Sequence, residues 1–268
     1  MAKKTGKDLN RLYYGDNLEV MQQHLKDESV DLVYLDPPFN SARAYNVFFN
    51  EPDATEDNAQ IQAFDDTWHW TTETSKQYSD LMNGGVPSNV ADALTAFRTL
   101  LGETDMMAYL VNMAPRLVEL HRVLKSTGSL YLHCDVTASH YLKILLDAIF
   151  GIRQFRNEVL WHYYNTMHDS RKKLHPRATD TLLFYVKDLE ADFTFHQLVE
   201  KLDQPVQRLA RKKVGGKMVN ARDDEGKIIY ITKDTRTMDN VWRIPMLQPA
   251  STERLGYPRR SPWHSWSG

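Results

Sequence analysis

Only one cysteine, Cys134, occurs in the chain. No internal disulfide framework can therefore hold the fold, and the chain suits a reducing compartment. No apolar run approaches the roughly 20 residues of a membrane-crossing helix. The opening "MAKKTGKDLNR" has no apolar core of the signal-peptide kind. Glycine is sparse, 12 in 268 residues, and no glycine-rich loop follows an apolar strand; "KVGGKMV" lies in a basic region instead. A formal net charge of −2 leaves no bulk excess of either sign, so local charge distribution is the more informative property. These absences exclude a disulfide-stapled secreted scaffold and a helical membrane protein. The expectation is a cytoplasmic protein with one substantial core and room for a subdomain.

What is present alternates. "RLYYGDNLEVMQQHL" reads as a short strand, a Gly15-Asp16 turn and an amphipathic helix through Leu18, Met21 and Leu25. Val30, Leu32, Val33, Tyr34 and Leu35 read as a short buried strand. Residues 51–66 carry Glu51, Asp53, Glu56, Asp57, Asp65 and Asp66 and read as a solvated loop or lid. A helix is expected from Asp105 to Leu124, with Gly128 as its C-terminal stop. "GSLYLHCD" is a second buried strand ending on Asp135, and "ASHYLKILLDAIFG" is a helix stopped by Gly151. "NEVLWHYY" and "DTLLFYVK" read as two further strands. Strand and helix in alternation predict an α/β sheet with parallel strands. After Lys187 the pattern becomes locally basic, through Lys201, Arg208, Arg211, Lys212, Lys213, Lys217, Arg222, Lys227 and Lys233. The earlier loop "HDSRKKLHPRATD" adds Arg171, Lys172, Lys173 and Arg177.

The sharpest signal is "SVDLVYLDPPFNSAR". Two prolines cannot extend a strand, since they lack N–H donors and have fixed φ. Asp36, Pro37, Pro38 and Phe39 are therefore placed on a stiff loop at a strand's C-terminal end, where open α/β sheets bind ligands. A carboxylate and a proline carbonyl both accept hydrogen bonds, and an aromatic face stacks on a flat base. Together they form a slot for a planar ring with an exocyclic NH2. Two acceptors gripping that group draw its lone pair out of ring conjugation and make the nitrogen a better nucleophile. An amino group in a duplex must first be flipped out. The plainer alternative is a turn in which Asp36 caps a helix and Pro-Pro ends a strand.

At these residues the sequence resembles the amino-methylating DNA methyltransferases, in particular the adenine-N6 group of the permuted β class. "DPPF" at Asp36–Phe39 looks like their catalytic motif, and "GSLYLHCD" at Gly128–Asp135 like their next strand motif. "RLYYGDNLEVM" is similar to their N-terminal lead-in, and "DNVWRIPMLQPASTERLGYP" at Asp239–Pro258 to the segment preceding their cofactor half. Members that methylate cytosine N4 more often carry serine before the two prolines, so Asp36 favours adenine. The resemblance implies that Asp36 and the Pro37 carbonyl bind the adenine N6 amino group and that Phe39 stacks on the flipped base. It makes Asp36, and Asp16 for the adenine ring, candidate contacts to S-adenosylmethionine. For Asp16 a simple helix cap in "GDNLEV" stands equally open. Asp135 is expected to end its strand structurally and Cys134 to sit in the core. Arg171, Lys172, Lys173, Arg211, Lys212, Lys213 and Lys217 are candidates for DNA phosphates. His168, Asp169 and His175 match no common zinc spacing, so no metal is expected.

In that family the chain continues past "GYP" into a Thr-Gln-Lys-Pro motif, a helix, and a strand ending in a glycine-rich turn. This sequence ends "GYPRRSPWHSWSG". Reading those codons from a shifted frame, with suitable synonymous choices, yields Gln-Lys-Ser-Leu-Ala-Leu-Leu-Glu-Arg. One base lost near codon 259 is the expectation; a genuine, unrelated C-terminus is the alternative. The resulting fold class is α/β, a Rossmann-like S-adenosylmethionine-dependent methyltransferase fold, permuted and lacking the cofactor half of its sheet. Residues 1–190 form the catalytic half and 191–240 a basic target-recognition region. Residues 241–268 lead into the missing half. The expected function is site-specific transfer of a methyl group from S-adenosylmethionine to adenine N6, impaired in this chain by weak or absent cofactor binding. The alternatives are a non-catalytic DNA-binding fragment and a cytosine-N4 methyltransferase. Duplex DNA is the expected partner; a restriction subunit and a homodimer are left open, and no membrane is involved.

Overall fold

The computed structural model describes residues 10–37, 44–48, 60–65, 68–165, 173 and 175–247, with only the backbone at 44–48 and 60–65. Two compact units emerge: Met1–Thr194 with Arg243–Gly268, and Phe195–Trp242.

In the first unit, helix α1 (Asn17–His24) is capped by Asp16, whose carboxylate accepts from the Leu18 N–H at 2.7 Å. Among the described residues no strand precedes it: residues 10–14 are coil, with Leu12 and Tyr14 fully exposed. The expected strand is absent because no ladder partner lies beside it among the described residues. Strand β1 (Val30–Leu35) follows, then β2 (Ala44–Phe48) and β3 (Gln60–Asp65), paired antiparallel. The expected loop over 51–66 is therefore strand from Gln60 to Asp65, and residues 51–59 and 66 lie outside the described set. Helices α2 (Thr72–Asp80), α3 (Ser88–Leu101) and α4 (Asp105–Val123) come next. The last is capped by Thr104, whose hydroxyl accepts from Met107 N–H at 3.4 Å.

Helix α4 buries ten residues, from Met107 to Val123. It docks α1 through two arginines. Arg116 binds Asp16 at 2.6 Å and Asn17 at 2.8 Å, and Arg122 donates to the Met21 carbonyl at 3.0 Å and the Leu25 carbonyl at 3.2 Å. The Met21 carbonyl also accepts from the Leu25 N–H at 3.1 Å, and the guanidinium adds a second donor there and bonds the Leu25 carbonyl at the helix end.

The chain passes directly from α4 into β4 (Leu124–Cys134), so Gly128 does not stop the helix but sits inside the strand. Its role is close approach. A Cβ there would lie 2.7 Å from Leu124 Cγ and 2.9 Å from the Lys125 carbonyl oxygen. Gly128→Ala is expected to lower stability by about 1–3 kcal/mol through overpacking, read as a fall in thermal midpoint. An unchanged midpoint would mean that the fully buried Leu124 moves aside without cost.

Helix α5 (Ser139–Phe150) ends at Gly151, as the sequence indicates. Strands β5 (Phe155–His162) and β6 (Thr179–Val186) complete the long strands. In the second unit, β7 (Val199–Leu209) pairs antiparallel with β10 (Tyr230–Thr237). Between them β8 (Arg211–Val214) pairs antiparallel with β9 (Lys217–Asn220). A short β11 (Val241–Arg243) contains the boundary at which the chain returns to the first unit.

The main sheet has the order β1-β4-β6-β5-β11. Only β1 and β4 pair in parallel; β6 is antiparallel to both β4 and β5. The expectation of parallel strands throughout fails here for a simple reason. A parallel neighbour needs a crossover, usually a helix, and among the described residues none separates β5 from β6.

One face of the sheet packs Val33, Leu130, Leu132, Leu183 and Tyr185 against α3, α4 and α5. Strand β1 is the edge, and its other face is open: Leu32 is 59% and Tyr34 43% exposed. The strand expected to be buried fully buries only Val33 and half-buries Val30 and Leu35.

Candidate active site

Parallel pairing of β1 with β4 matches Leu35 to Leu132. The next residues, Asp36 and His133, therefore meet at the C-terminal ends of both strands. His133 Nδ1 lies 3.0 Å from Asp36 Oδ1. Antiparallel β6 enters the same edge, since Cys134 pairs with Thr181, and it brings Asp180 Oδ2 to 3.7 Å from His133 Nε2, an ion-pair rather than a hydrogen-bond distance. Asp180 is also bound by Arg177, whose Nη1 reaches Asp135 Oδ2 at 3.5 Å.

Asp135 starts α5. Its carboxylate accepts from the Thr137 N–H at 2.9 Å, the Ala138 N–H at 3.2 Å and the Thr137 hydroxyl at 3.1 Å. The result is a chain of alternating sign, Asp36–His133–Asp180–Arg177–Asp135, anchored on a helix start. Three carboxylates against two cations leave one negative charge, which favours an amino group or cation as guest.

The His133 side chain is only 7% exposed. Burial alone would strip its proton, but attraction to Asp180 and Asp36 wins and raises its pKa to about 9. At neutral pH it is an imidazolium with a carboxylate at each nitrogen. Asp180 is held below the usual carboxylate range: its own burial opposes that, and His133 and Arg177 outweigh it. Among the described residues Asp36 Oδ2 makes no hydrogen bond, and its side chain is 39% exposed. Pro37 behind it is buried. Asp36 thus has one oxygen fixed and one available.

Aromatic groups line the far side. The Trp161 ring lies 5.7 Å from His133 and 5.5 Å from Tyr163. Trp161 Nε1 donates to the Ile244 carbonyl at 2.7 Å. Asn165 and the Met246 backbone exchange two hydrogen bonds of 2.8 Å. The segment "RIPML" is thereby laid beside β5, next to the site.

Of the sequence candidates, the structure brings Asp36 and Pro37 to the sheet edge with Asp135, while Pro38 and Phe39 lie outside the described residues. Asp16 is the N-cap of α1, with its two oxygens engaged by Leu18 N–H and Arg116. Cys134 is fully buried; burial and the neighbouring charges of Asp135, Glu158 and Asp180 push its thiol pKa up, so it is no nucleophile. Arg171, Lys172, His168 and Asp169 lie outside the described residues, and Lys173 is exposed. Arg211, Lys212, Lys213 and Lys217 are exposed on β8 and β9.

Arg177 is the correction. Counted with the basic loop, it is instead committed to Asp180 and Asp135, because partly buried carboxylates outcompete solvent for it. His133 and Asp180 were missed. Their signal is a polar residue at an inward position of an apolar strand and a carboxylate at a strand's start. No group of metal-ligating side chains occurs among the described residues.

The described residues present a hydrogen-bond acceptor, Asp36 Oδ2, at this sheet edge. No glycine-rich turn after a strand end is present among them, and Asp16 is already engaged.

Comparison with known proteins identifies the family. The N6/N4 DNA methylase family model matches residues 30–265, so the chain belongs to that family. It is 28% identical over 155 residues, 57% of its length, to the Mod subunit of the Type III restriction-modification enzyme StyLTI of Salmonella typhimurium. It is 26% identical over 152 residues, 56% of its length, to the EcoP15I Mod subunit of Escherichia coli, and 28% identical over 148 residues, 54% of its length, to the EcoPI Mod subunit of Escherichia phage P1. Each match covers 20% of the relative, so the chain spans about a fifth of these proteins. Among solved structures, the PvuII DNA methyltransferase (cytosine-N4-specific) is similar over 68% of this chain and 49% of its own, at 16% identity and a TM-score of 0.37. No helix among the described residues is long and apolar enough to cross a membrane.

Proposed function

We propose that the chain serves transfer of a methyl group from S-adenosylmethionine to adenine N6 in duplex DNA, its own residues holding the target amino group and the DNA. The carrying observation is Asp36: one oxygen fixed by a buried imidazolium, the other open, with a buried proline behind it. A flipped adenine would donate one N6 hydrogen to Oδ2 and the other to the Pro37 carbonyl. Both acceptors favour a pyramidal nitrogen with a localised lone pair, the form that attacks a methyl group. Phe39 would stack on the ring. Family membership implies S-adenosylmethionine as donor in general. Asp16 could contact it only by sharing oxygens already bonded to Leu18 and Arg116.

Aspartate before the prolines supports adenine over cytosine. The named relatives are Mod subunits, which supports a restriction subunit as partner of the longer assembly. The second reading is a DNA-binding chain without transfer, favoured by the exposed cations of β8 and β9. The discriminating experiment incubates the purified chain with duplex DNA and labelled S-adenosylmethionine, then digests the DNA to nucleosides. Transfer is expected to be weak, with whatever label is incorporated found as N6-methyladenine. N4-methylcytosine would overturn the base assignment, and salt-sensitive DNA retention without label would establish the second reading.

A further inference from the structure

Strands β8 and β9 form a two-stranded ribbon, "RKKVGGKMVN", closed by Gly215 (φ 54°) and Gly216 (φ 82°). Two consecutive left-handed residues make the tight turn that matches strand twist, and glycine adopts it without strain. No atom lies within 4 Å of where a Cβ would stand at either glycine, so backbone conformation and not crowding selects them. All eight strand residues are exposed, which makes the ribbon a projecting finger.

Its register is Arg211 with Asn220, Lys212 with Val219, Lys213 with Met218, and Val214 with Lys217. Cross-strand pairs share a face and successive residues alternate. Arg211, Lys213, Met218 and Asn220 therefore occupy one face; Lys212, Val214, Lys217 and Val219 occupy the other. Each face carries two cations, and residues 211–220 contain no acid.

A ribbon laid flat on one phosphate backbone would need its charge on one face. Charge on both faces suits a channel with an anionic wall on each side. The major groove of B-form DNA, about 12 Å wide, admits a two-stranded ribbon, and the minor groove, about 6 Å wide, does not. The deep, narrow major groove of duplex RNA also excludes it.

The neighbouring turn argues for which tip enters. Asp223 accepts from the Glu225 and Lys227 N–H groups at 3.1 and 2.8 Å and presents Asp223, Asp224 and Glu225, which phosphates repel. It joins the ribbon only at the base, where Ala221 N–H donates to the Ala210 carbonyl at 2.7 Å and Ile229 N–H to the Ala221 carbonyl at 2.9 Å.

We infer that the β8–β9 ribbon enters the major groove of B-form duplex DNA edge-on, Arg211 and Lys213 meeting one phosphate wall and Lys212 and Lys217 the other. The inference rests on the DNA reading above and adds the mode of docking.

The test measures binding of the full chain to a fluorescent DNA duplex across a salt series, for wild type, Arg211→Ala/Lys213→Ala and Lys212→Ala/Lys217→Ala. Each phosphate contact contributes about 0.9 to the slope of log affinity against log salt. Each double variant is expected to reduce that slope by about 2, and the quadruple variant by about 4. The charge-keeping Arg211→Lys/Lys213→Arg variant is expected to retain the wild-type slope. If only one pair moves the slope, the ribbon lies flat and the inference fails while DNA binding stands. Equal binding of duplex RNA also overturns it. No DNA binding by the wild type at low salt would overturn the DNA reading and the inference together.

Discussion

Asp36→Asn is expected to lower methyl transfer to duplex DNA about 10²–10³-fold, the scale on which a single preorganised polar contact acts in other enzymes. The side chain keeps its shape, so the effect combines reversed hydrogen-bond polarity with the loss of one negative charge. His133 is an imidazolium and can only donate toward residue 36. An asparagine there must turn its carbonyl oxygen to His133 and its NH2 outward. The target amino group, itself a donor, would then face a donor where Asp36 offers Oδ2. The loss should fall mainly on kcat, because polarity at the reacting nitrogen matters most as it becomes pyramidal. Asp36→Glu keeps the charge but moves it by one methylene and is expected to fall between the two. The measurement is initial methyl incorporation under saturating donor and DNA. If Asp36→Asn keeps more than about a third of the wild-type rate, the acceptor role assigned to Asp36 is wrong, whatever base is methylated.

That prediction depends on a contact no local pattern in the chain discloses. Asp36 and His133 are 97 residues apart. Each of their strands is legible, because an apolar run that stops on a carboxylate or proline is a local signal. The register that sets Leu35 against Leu132 is not local, and it alone turns two strand ends into one site. His133 hid in "GSLYLHCD" because one polar ring in an apolar strand usually reads as a satisfied core residue; its partners come from β1 and β6. Arg177 shows the opposite error. Among Arg171, Lys172 and Lys173 it reads as one more exposed cation, yet Asp180, three residues on, and Asp135 bind it.

The direction of β6, opposite to that of β1, β4 and β5, escapes the sequence for a similar reason. Apolar runs report strands, whereas direction is set by the connection. Gly128 is a case of the right residue with the wrong cause, since helix stops and close backbone approach both select glycine. The basic ribbon was visible as charge, but its two faces required the register of β8 with β9.

The same histidine makes fold stability depend on pH in a direction opposite to that of a buried neutral imidazole. His133 has a folded-state pKa of about 9 against an ordinary 6.5. The folded state therefore holds this proton more tightly than the unfolded one. Its contribution is full below pH about 6.5 and is lost as pH rises through about 9, for a total of about 3 kcal/mol. Cys134, its thiol pKa raised from an ordinary 9, acts in the same direction above about pH 8.5. His121 is lowered by burial and by Lys187, so its effect lies on the acid side, and the lowered Asp180 acts further toward acid still. Urea unfolding at intervals from pH 6 to about pH 8.5 is expected to show most of the decline in wild type and a nearly flat profile in His133→Gln. That variant should also be less stable at pH 6, by roughly 3–5 kcal/mol, since it leaves two carboxylates facing each other without their cation. The two carboxylates are not equivalent holders. Asp180 is 14% exposed and Asp36 39%, so solvent weakens the pair with Asp36 more. Asp180→Asn should lower the midpoint of the His133 titration, followed by NMR of its ring, more than Asp36→Asn does. The reverse order would mean that His133 is held chiefly by Asp36. Loading that oxygen with the larger share of the cation's charge would weaken Oδ2 as an acceptor and argue against Asp36 as the group that grips the base.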